Sequence, residues 1–203
     1  MEVLPDGEQF VGTRGGGMDH AASMGSRAGH ASLIGFDPAT IRHVPIPPDW
    51  AFVVVNSGVR AEKSGAAREE YNARRNATLT ARKKTASGER LTALEEESYG
   101  HVTGEAGRVA LAVEAMERDE PAAFGRLMRQ SHESLRDRLR VSIPALDGLV
   151  ERAMEAGALG ARLTGAGFGG CIVALARRRD LDRVAGRFGA AAFEASAGDG
   201  ALI

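Results

Sequence analysis

Cysteine is almost missing: Cys171 is the single one in 203 residues, so no disulfide can close within the chain and a stapled mini-fold is excluded. The compartment this implies is the reducing cytosol. Long apolar runs are missing too, since none approaches the roughly 20 residues that a bilayer-spanning helix needs. Met1 to Gly7 hold no basic segment followed by an apolar one, so neither a secretory signal nor a transit peptide is read there. An excess of one charge is absent as well, because 26 Lys and Arg stand against 27 Asp and Glu for a net charge of −1. That balance removes the electrostatic footprint of a nucleic-acid binder. The basic run Arg82-Lys83-Lys84 has no interleaved aromatics and reads as a solvated helix end. Internal repeats are absent.

What the chain does have is glycine, 26 residues of it, clustered around Gly15 and Gly165. The length suits one sizeable domain or two small ones. Gly12 to Gly17 lead into Met18-Asp19-His20-Ala21-Ala22-Ser23-Met24, a run that predicts a short helix with Asp19 in its first turn. His30 to Phe36, Ile41 to Ile46 and Ala51 to Asn56 are apolar or β-branched stretches parted by Pro and Asp, which predicts antiparallel strands, the last being the most buried. Lys63 to about Lys84 predicts a helix with a wet face. Phe124, Leu127, Met128, Ser131 and Leu135 recur three or four residues apart, an amphipathic helix begun by Pro121. Val109, Val113 and Met116 mark a partner helix before it. Ser142 is the expected cap of a third helix through Leu146, Leu149 and Val150, stopped by Gly157. Ala161 to Thr164, Gly165 to Gly170 and Cys171 to Ala176 read as strand, glycine loop and strand, and Leu181 to Phe193 as a last helix. The fold class is therefore α+β, with a boundary expected near Gly58: residues 1–58 in one domain and 59–203 in the next.

Two glycine clusters, one leading into a helix-start aspartate and one linking two strands, suit a site that handles phosphate, because backbone N–H groups can approach an anion closely. Each alone is equally a tight turn or a hairpin. Asp19 alone is equally a residue that stabilises a helix start through the dipole, and Tyr71 alone an ordinary boundary tyrosine.

Read together, the segments resemble the galactokinases of the GHMP kinase superfamily. Phe10-Val11-Gly12 through Gly16-Gly17-Met18-Asp19 is similar to the segment that presents the catalytic carboxylate. Gly160-Ala161-Arg162-Leu163-Thr164-Gly165-Ala166-Gly167-Phe168-Gly169-Gly170-Cys171 resembles the third GHMP motif in its galactokinase form, a long and specific match. Glu70-Tyr71-Asn72-Ala73-Arg74-Arg75, Ser131-His132-Glu133-Ser134-Leu135-Arg136 and Val141-Ser142-Ile143-Pro144-Ala145-Leu146-Asp147 follow in the family's order. The resemblance spans nearly the whole chain.

It implies transfer of the ATP γ-phosphate to the anomeric hydroxyl of galactose, with ATP and Mg2+ as the companions. Such a transfer asks mainly for positioning, charge neutralisation and a carboxylate at the attacking hydroxyl. Asp19 is implied as that carboxylate. Gly16 and Tyr71 are implied, with Asp19, at the sugar. Gly165, Ala166, Gly167 and Gly169 are implied at the nucleotide phosphates, and Glu8, one residue out of register, at the metal. The implied fold is the tail of a ribosomal S5 domain 2-like domain followed by a ferredoxin-like C-terminal domain.

The chain departs from the family in two places. Neither the sugar-recognition motif nor the Pro-x-Gly-x-Gly-Leu-Ser-Ser-Ser loop precedes the Met-Asp pair. That loop supplies much of the electrostatic stabilisation of the transfer, so the chain alone is expected to be inactive or nearly so, as a fragment, a split-gene product or a noncatalytic remnant. The expected further partner is a missing N-terminal half or a second copy, with no nucleic acid and no membrane. His20 stands where the family has glutamine. The alternatives left open are an N-acetylgalactosamine kinase, an arabinose kinase and a noncatalytic sugar sensor.

Overall fold

The computed structural model describes residues 17–36, 38–61 and 65–201. Glu8 and Gly16 lie outside them. Helix α1 (Met18–Gly25) is followed by a hairpin of β1 (His30–Phe36) and β2 (Ala39–Pro45), in register from His30 opposite Pro45 to Phe36 opposite Ala39. The expected first two strands thus pair with one another. The third, β3 (Trp50–Asn56), does not join them. It runs antiparallel to β5 (Cys171–Arg177) on one side and β6 (Ala192–Ala195) on the other, while β4 (Gly160–Thr164) closes the far edge, giving the order β4-β5-β3-β6. Strand β3 precedes Gly58 and its partners follow it, so the hydrogen bonds of one sheet cross that position.

The placement of β3 follows from its side chains. Trp50, Val53 and Val55 are at most 2% exposed, and alternate residues face opposite sides of a sheet. Val53 and Val55, with Ala161, Leu163, Ile172, Ala174 and Ala176, form one buried face, while Trp50, Phe52, Val173 and Leu175 form the other. A strand with apolar residues on both sides belongs in a sheet interior.

Four helices pack on this sheet and on one another. Helix α2 (Ala66–Ser87) ends on Gly88, whose left-handed backbone lets Glu89 N–H reach the Lys84 carbonyl. Helix α3 (Ala93–Glu117) opens with a capping box that sequence reading missed: Glu95 N–H donates to Thr92 Oγ1 at 3.3 Å and Thr92 N–H to Glu95 Oε2 at 2.7 Å. Two backbone donors at the helix start are satisfied this way. Lys84 Nζ, the last residue of the basic run, lies 2.9 Å from both Glu95 oxygens.

Helix α4 (Pro121–Asp137) begins on its proline as expected and buries Met128, Ser131, His132 and Leu135. It lies flat on β4 because Gly125 meets Gly160; a Cβ on either would strike the backbone of the other segment. Helix α5 (Pro144–Glu155) buries Leu146, Leu149, Val150 and Ala153, and Gly157 follows at φ 93°. Its cap is Ile143, not Ser142. Ser142 Oγ instead donates to Asp147 Oδ1 at 2.5 Å, a hydrogen bond assisted by the carboxylate charge.

The last element is also a correction. Leu181 to Phe193 is not one helix: α6 (Leu181–Gly186) is a turn and a half, then a 3₁₀ turn (Gly189–Ala191) leads into β6. Glycines at 186 and 189, the latter at φ 56°, interrupt the helix. The segment's Phe193 is 58% exposed on the edge strand, not packed as a helix core position. Beyond β6 the chain returns to α1: Gly29 N–H donates to Ala197 O, Ala28 N–H to Asp199 Oδ1, Gly200 N–H to Ser26 O and Ala201 N–H to Ser23 O.

Candidate functional site

The glycine loop between β4 and β5 is held from three directions. Phe168 N–H donates to Val141 O at 2.7 Å, Gly170 N–H to Val59 O at 2.8 Å, and Gly170 O accepts from both Ser57 N–H at 2.9 Å and Ser57 Oγ at 2.7 Å. Gly167 at φ 85° and Gly169 at φ 136° could not be replaced without collision. A Cβ on the first would enter the Val141 carbonyl, and one on the second would lie 2.7 Å from Val59 O. The loop is therefore pinned at residues 168 and 170. Among the described residues, the amides of Gly165, Ala166, Gly167 and Gly169 donate no hydrogen bond.

Behind the loop, the edge of β4 is closed by His132 from α4. Leu163 N–H donates to His132 Nδ1 at 3.3 Å, and Nε2 lies 3.1 Å from Asp147 Oδ1, off the line of a hydrogen bond. Burial pushes His132 below the ordinary imidazole range, with Asp147 partly opposing it. The neutral ring can accept from Leu163, two residues before Gly165. His132 and Asp147 stand in segments that carried the family resemblance, but no role could be read for them.

On the other side of β4, Arg162 reaches a second cluster that sequence reading missed. Glu105 Oε1 lies 2.5 Å from Arg108 Nε, Ser131 Oγ donates to Glu105 Oε2 at 2.7 Å, and Arg162 Nη1 lies 3.5 Å from the same oxygen. Burial works to raise Glu105, but Ser131, Arg108 and Arg162 outweigh it and hold the carboxyl below its usual range. Burial lowers Arg162. The neighbouring His101, whose Nδ1 sits 2.9 Å from Ser134 Oγ, is likewise lowered by burial. A signal existed: an arginine in the middle of an otherwise apolar strand needs a buried partner.

Asp19 stands exposed in the first turn of α1, whose Gly17 start has φ 75° and lies against the Phe36 ring. His20 beside it is half-buried, and its Nδ1 has no hydrogen-bond partner among the described residues. Tyr71 of α2 packs with Phe168 on the main core cluster. The structure thus brings Tyr71 and the glycine loop onto one core. Asp19 sits on the hairpin side, and among the described residues no hydrogen bond joins it to the loop. Nor does any group of three or more potential metal ligands occur among them. No described helix is long and apolar enough to cross a membrane.

An antiparallel sheet with helices packed on it and a pinned glycine loop at its edge is the architecture of a GHMP kinase C-terminal domain, and residues 112–195 match the family described as GHMP kinases C terminal. The chain carries a GHMP kinase C-terminal domain. Within the superfamily it is similar to galactokinases: 38% identical over 204 residues to that of Roseiflexus sp. (strain RS-1), covering 90% of this chain and 51% of that protein. It is 39% identical over 191 residues to the Bos taurus galactokinase, covering 86% and 48%. The crystal structure of Lactococcus lactis galactokinase complexed with galactose superimposes with a TM-score of 0.79 at 25% identity, over 96% of this chain and 57% of that one. The chain spans about half the length of the curated relatives it matches.

Proposed function

We propose that this chain supplies the sugar-side carboxylate and the phosphate-side glycine loop of a galactokinase-type sugar 1-kinase. The observation that carries the reading is the loop at Gly165–Gly170. Its backbone is fixed by Val141, Val59 and Ser57, yet among the described residues the amides of Gly165, Ala166, Gly167 and Gly169 find no acceptor. Unpaired amides on a turning backbone form a concavity that suits anionic oxygens. Fixing them beforehand removes reorganisation from the reaction. ATP fits here as a substrate because its phosphates are the acceptors those amides lack.

In this reading Asp19 accepts a hydrogen bond from the anomeric hydroxyl and takes its proton as that oxygen attacks the γ-phosphorus. The bond from phosphorus to the bridging oxygen of ADP breaks, leaving a sugar 1-phosphate. Exposure of Asp19 at a helix start is compatible with a substrate reaching it. Tyr71 offers a ring face to the sugar from the core that also supports Phe168, and Gly16 completes the sugar contacts. Glu8 is assigned to the Mg2+ that accompanies the nucleotide, whose charge would offset that of the phosphates. The same reading places the protein in the cytoplasm.

The test measures ATP consumption with galactose and, separately, N-acetylgalactosamine, using this chain alone and this chain joined to the remaining half of a galactokinase relative. Turnover with galactose in the joined form, reduced at least about 100-fold by Asp19→Asn, is the expected result. A joined enzyme whose rate is unchanged by Asp19→Asn removes Asp19 from its role.

A further inference from the structure

A cavity of about 290 Å³ lies between the β1–β2 hairpin, the second face of the four-stranded sheet and helices α3 and α4. Its walls are apolar, with Leu33, Phe52, Val113, Leu127 and Val173 among them, and one end carries Arg108, Arg162, Glu105 and Ser131. None of Asp19, Tyr71 or the glycine-loop residues lines it, so it is separate from the candidate kinase site.

The charges at that end do not balance. Two guanidiniums face one carboxylate, and the ionised groups acting on half-buried Arg162 are Glu105 and Arg108. His101 is held towards its neutral form by burial and contributes no compensating charge. One positive charge is left over beside apolar walls, where it is only partly solvated. The hydrogen bonds fall short in the same place. Arg108 folds back over Gly104, spends Nε on Glu105, and leaves Nη2 buried with no acceptor among the described residues. Ser131 has already turned its hydroxyl to Glu105. A ligand with one anionic head and an apolar body would meet the free guanidinium N–H and fill the walls, and pockets of this size and lining hold small organic molecules.

We propose that this cavity is a binding site for a monocarboxylate with an apolar tail, its carboxylate on Arg108 and Arg162 and its tail between the hairpin and helices α3 and α4. The charge surplus selects the acid over the corresponding alcohol.

Octanoate and octanol are the probes, titrated into the full chain by calorimetry and followed by thermal unfolding. Octanoate is expected to bind saturably at one site and, at about 100 times its Kd, to raise Tm by roughly 5–10 °C. Octanol is expected to bind at least about tenfold more weakly, for want of the charged hydrogen bond. Arg108→Gln should erase that preference, and Ala112→Phe, which fills the cavity, should remove both. The octanol comparison needs no variant, so the test stands where a substituted chain fails to fold. Absence of saturable octanoate binding, equal binding of the two probes, or binding that survives Ala112→Phe overturns the proposal. So does self-association of the chain that Ala112→Phe abolishes, which would put a second copy on this face.

Discussion

Replacing Gly167 by alanine tests whether the glycine loop is pinned as described. Two costs add at this position. The backbone sits at φ 85°, where a side chain costs about 1–2 kcal/mol. The new Cβ would also enter the Val141 carbonyl, the acceptor of Phe168 N–H at 2.7 Å. Forcing those groups apart leaves a buried polar pair unsatisfied, about 1–3 kcal/mol more. The variant should therefore lose about 2–5 kcal/mol, and for a chain of this size each kcal/mol lowers Tm by roughly 2–4 °C. Gly165→Ala is the internal control. It shares the left-handed backbone, at φ 81°, but its Cβ would point into open space, so it should lose only the first contribution. Thermal unfolding followed by circular dichroism compares the two. If they melt together, the close approach to Val141 contributes nothing and the loop is not held as described.

Thr92→Ala removes the hydroxyl that accepts Glu95 N–H and should cost about 1 kcal/mol in a urea titration, whereas Thr92→Ser should be nearly neutral; equal losses in both would exclude the capping box as the cause. Acid should weaken the fold through His132 and His101, which burial holds below the ordinary imidazole range. The unfolded chain takes up these protons first, so the stability is complete above about pH 6.5 and is lost as pH falls below it, at up to about 1.4 kcal/mol per pH unit for each histidine. His132→Asn keeps an acceptor for Leu163 N–H but does not titrate, and should flatten that slope by one histidine's share. An unchanged slope in a series of urea titrations from pH 7 to about 5 would show that His132 is not excluded from protonation.

Helices with strong periodicity were legible in the sequence: Pro121 opens the helix it was expected to begin, and the helix through Leu146, Leu149 and Val150 is present, though it starts at Pro144. Pairing between strands was legible only in part. The hairpin is local, but β3 joins partners more than a hundred residues away, and its neighbours are chosen by burial on both faces, which one strand's composition hints at without naming the strand beside it. Ser142 has the side chain of a helix cap, and only the fold reveals that Asp147 lies within its reach. In the last segment, Leu181 to Phe193 reads as one helix, but Gly186 and Gly189 end it early. For the candidate site, the motif located the loop, but which of its amides are free depends on Val141, Val59 and Ser57, contacts made from other parts of the chain. The Glu105, Arg108 and Arg162 cluster joins a helix to a strand nearly sixty residues on, and no local pattern announces such a meeting.

The return of the polypeptide from β6 to the turn behind α1 ties the tail of the molecule to the helix that bears Asp19. Ala197, Asp199, Gly200 and Ala201 all grip that turn through hydrogen bonds, and Gly200 comes so near the Met24 carbonyl that no side chain would fit. A protease cut just after Ala195 would therefore unmoor the acidic helix at a stroke while leaving the four-stranded sheet whole. Digestion could thus separate the orientation of the carboxylate from the integrity of the core.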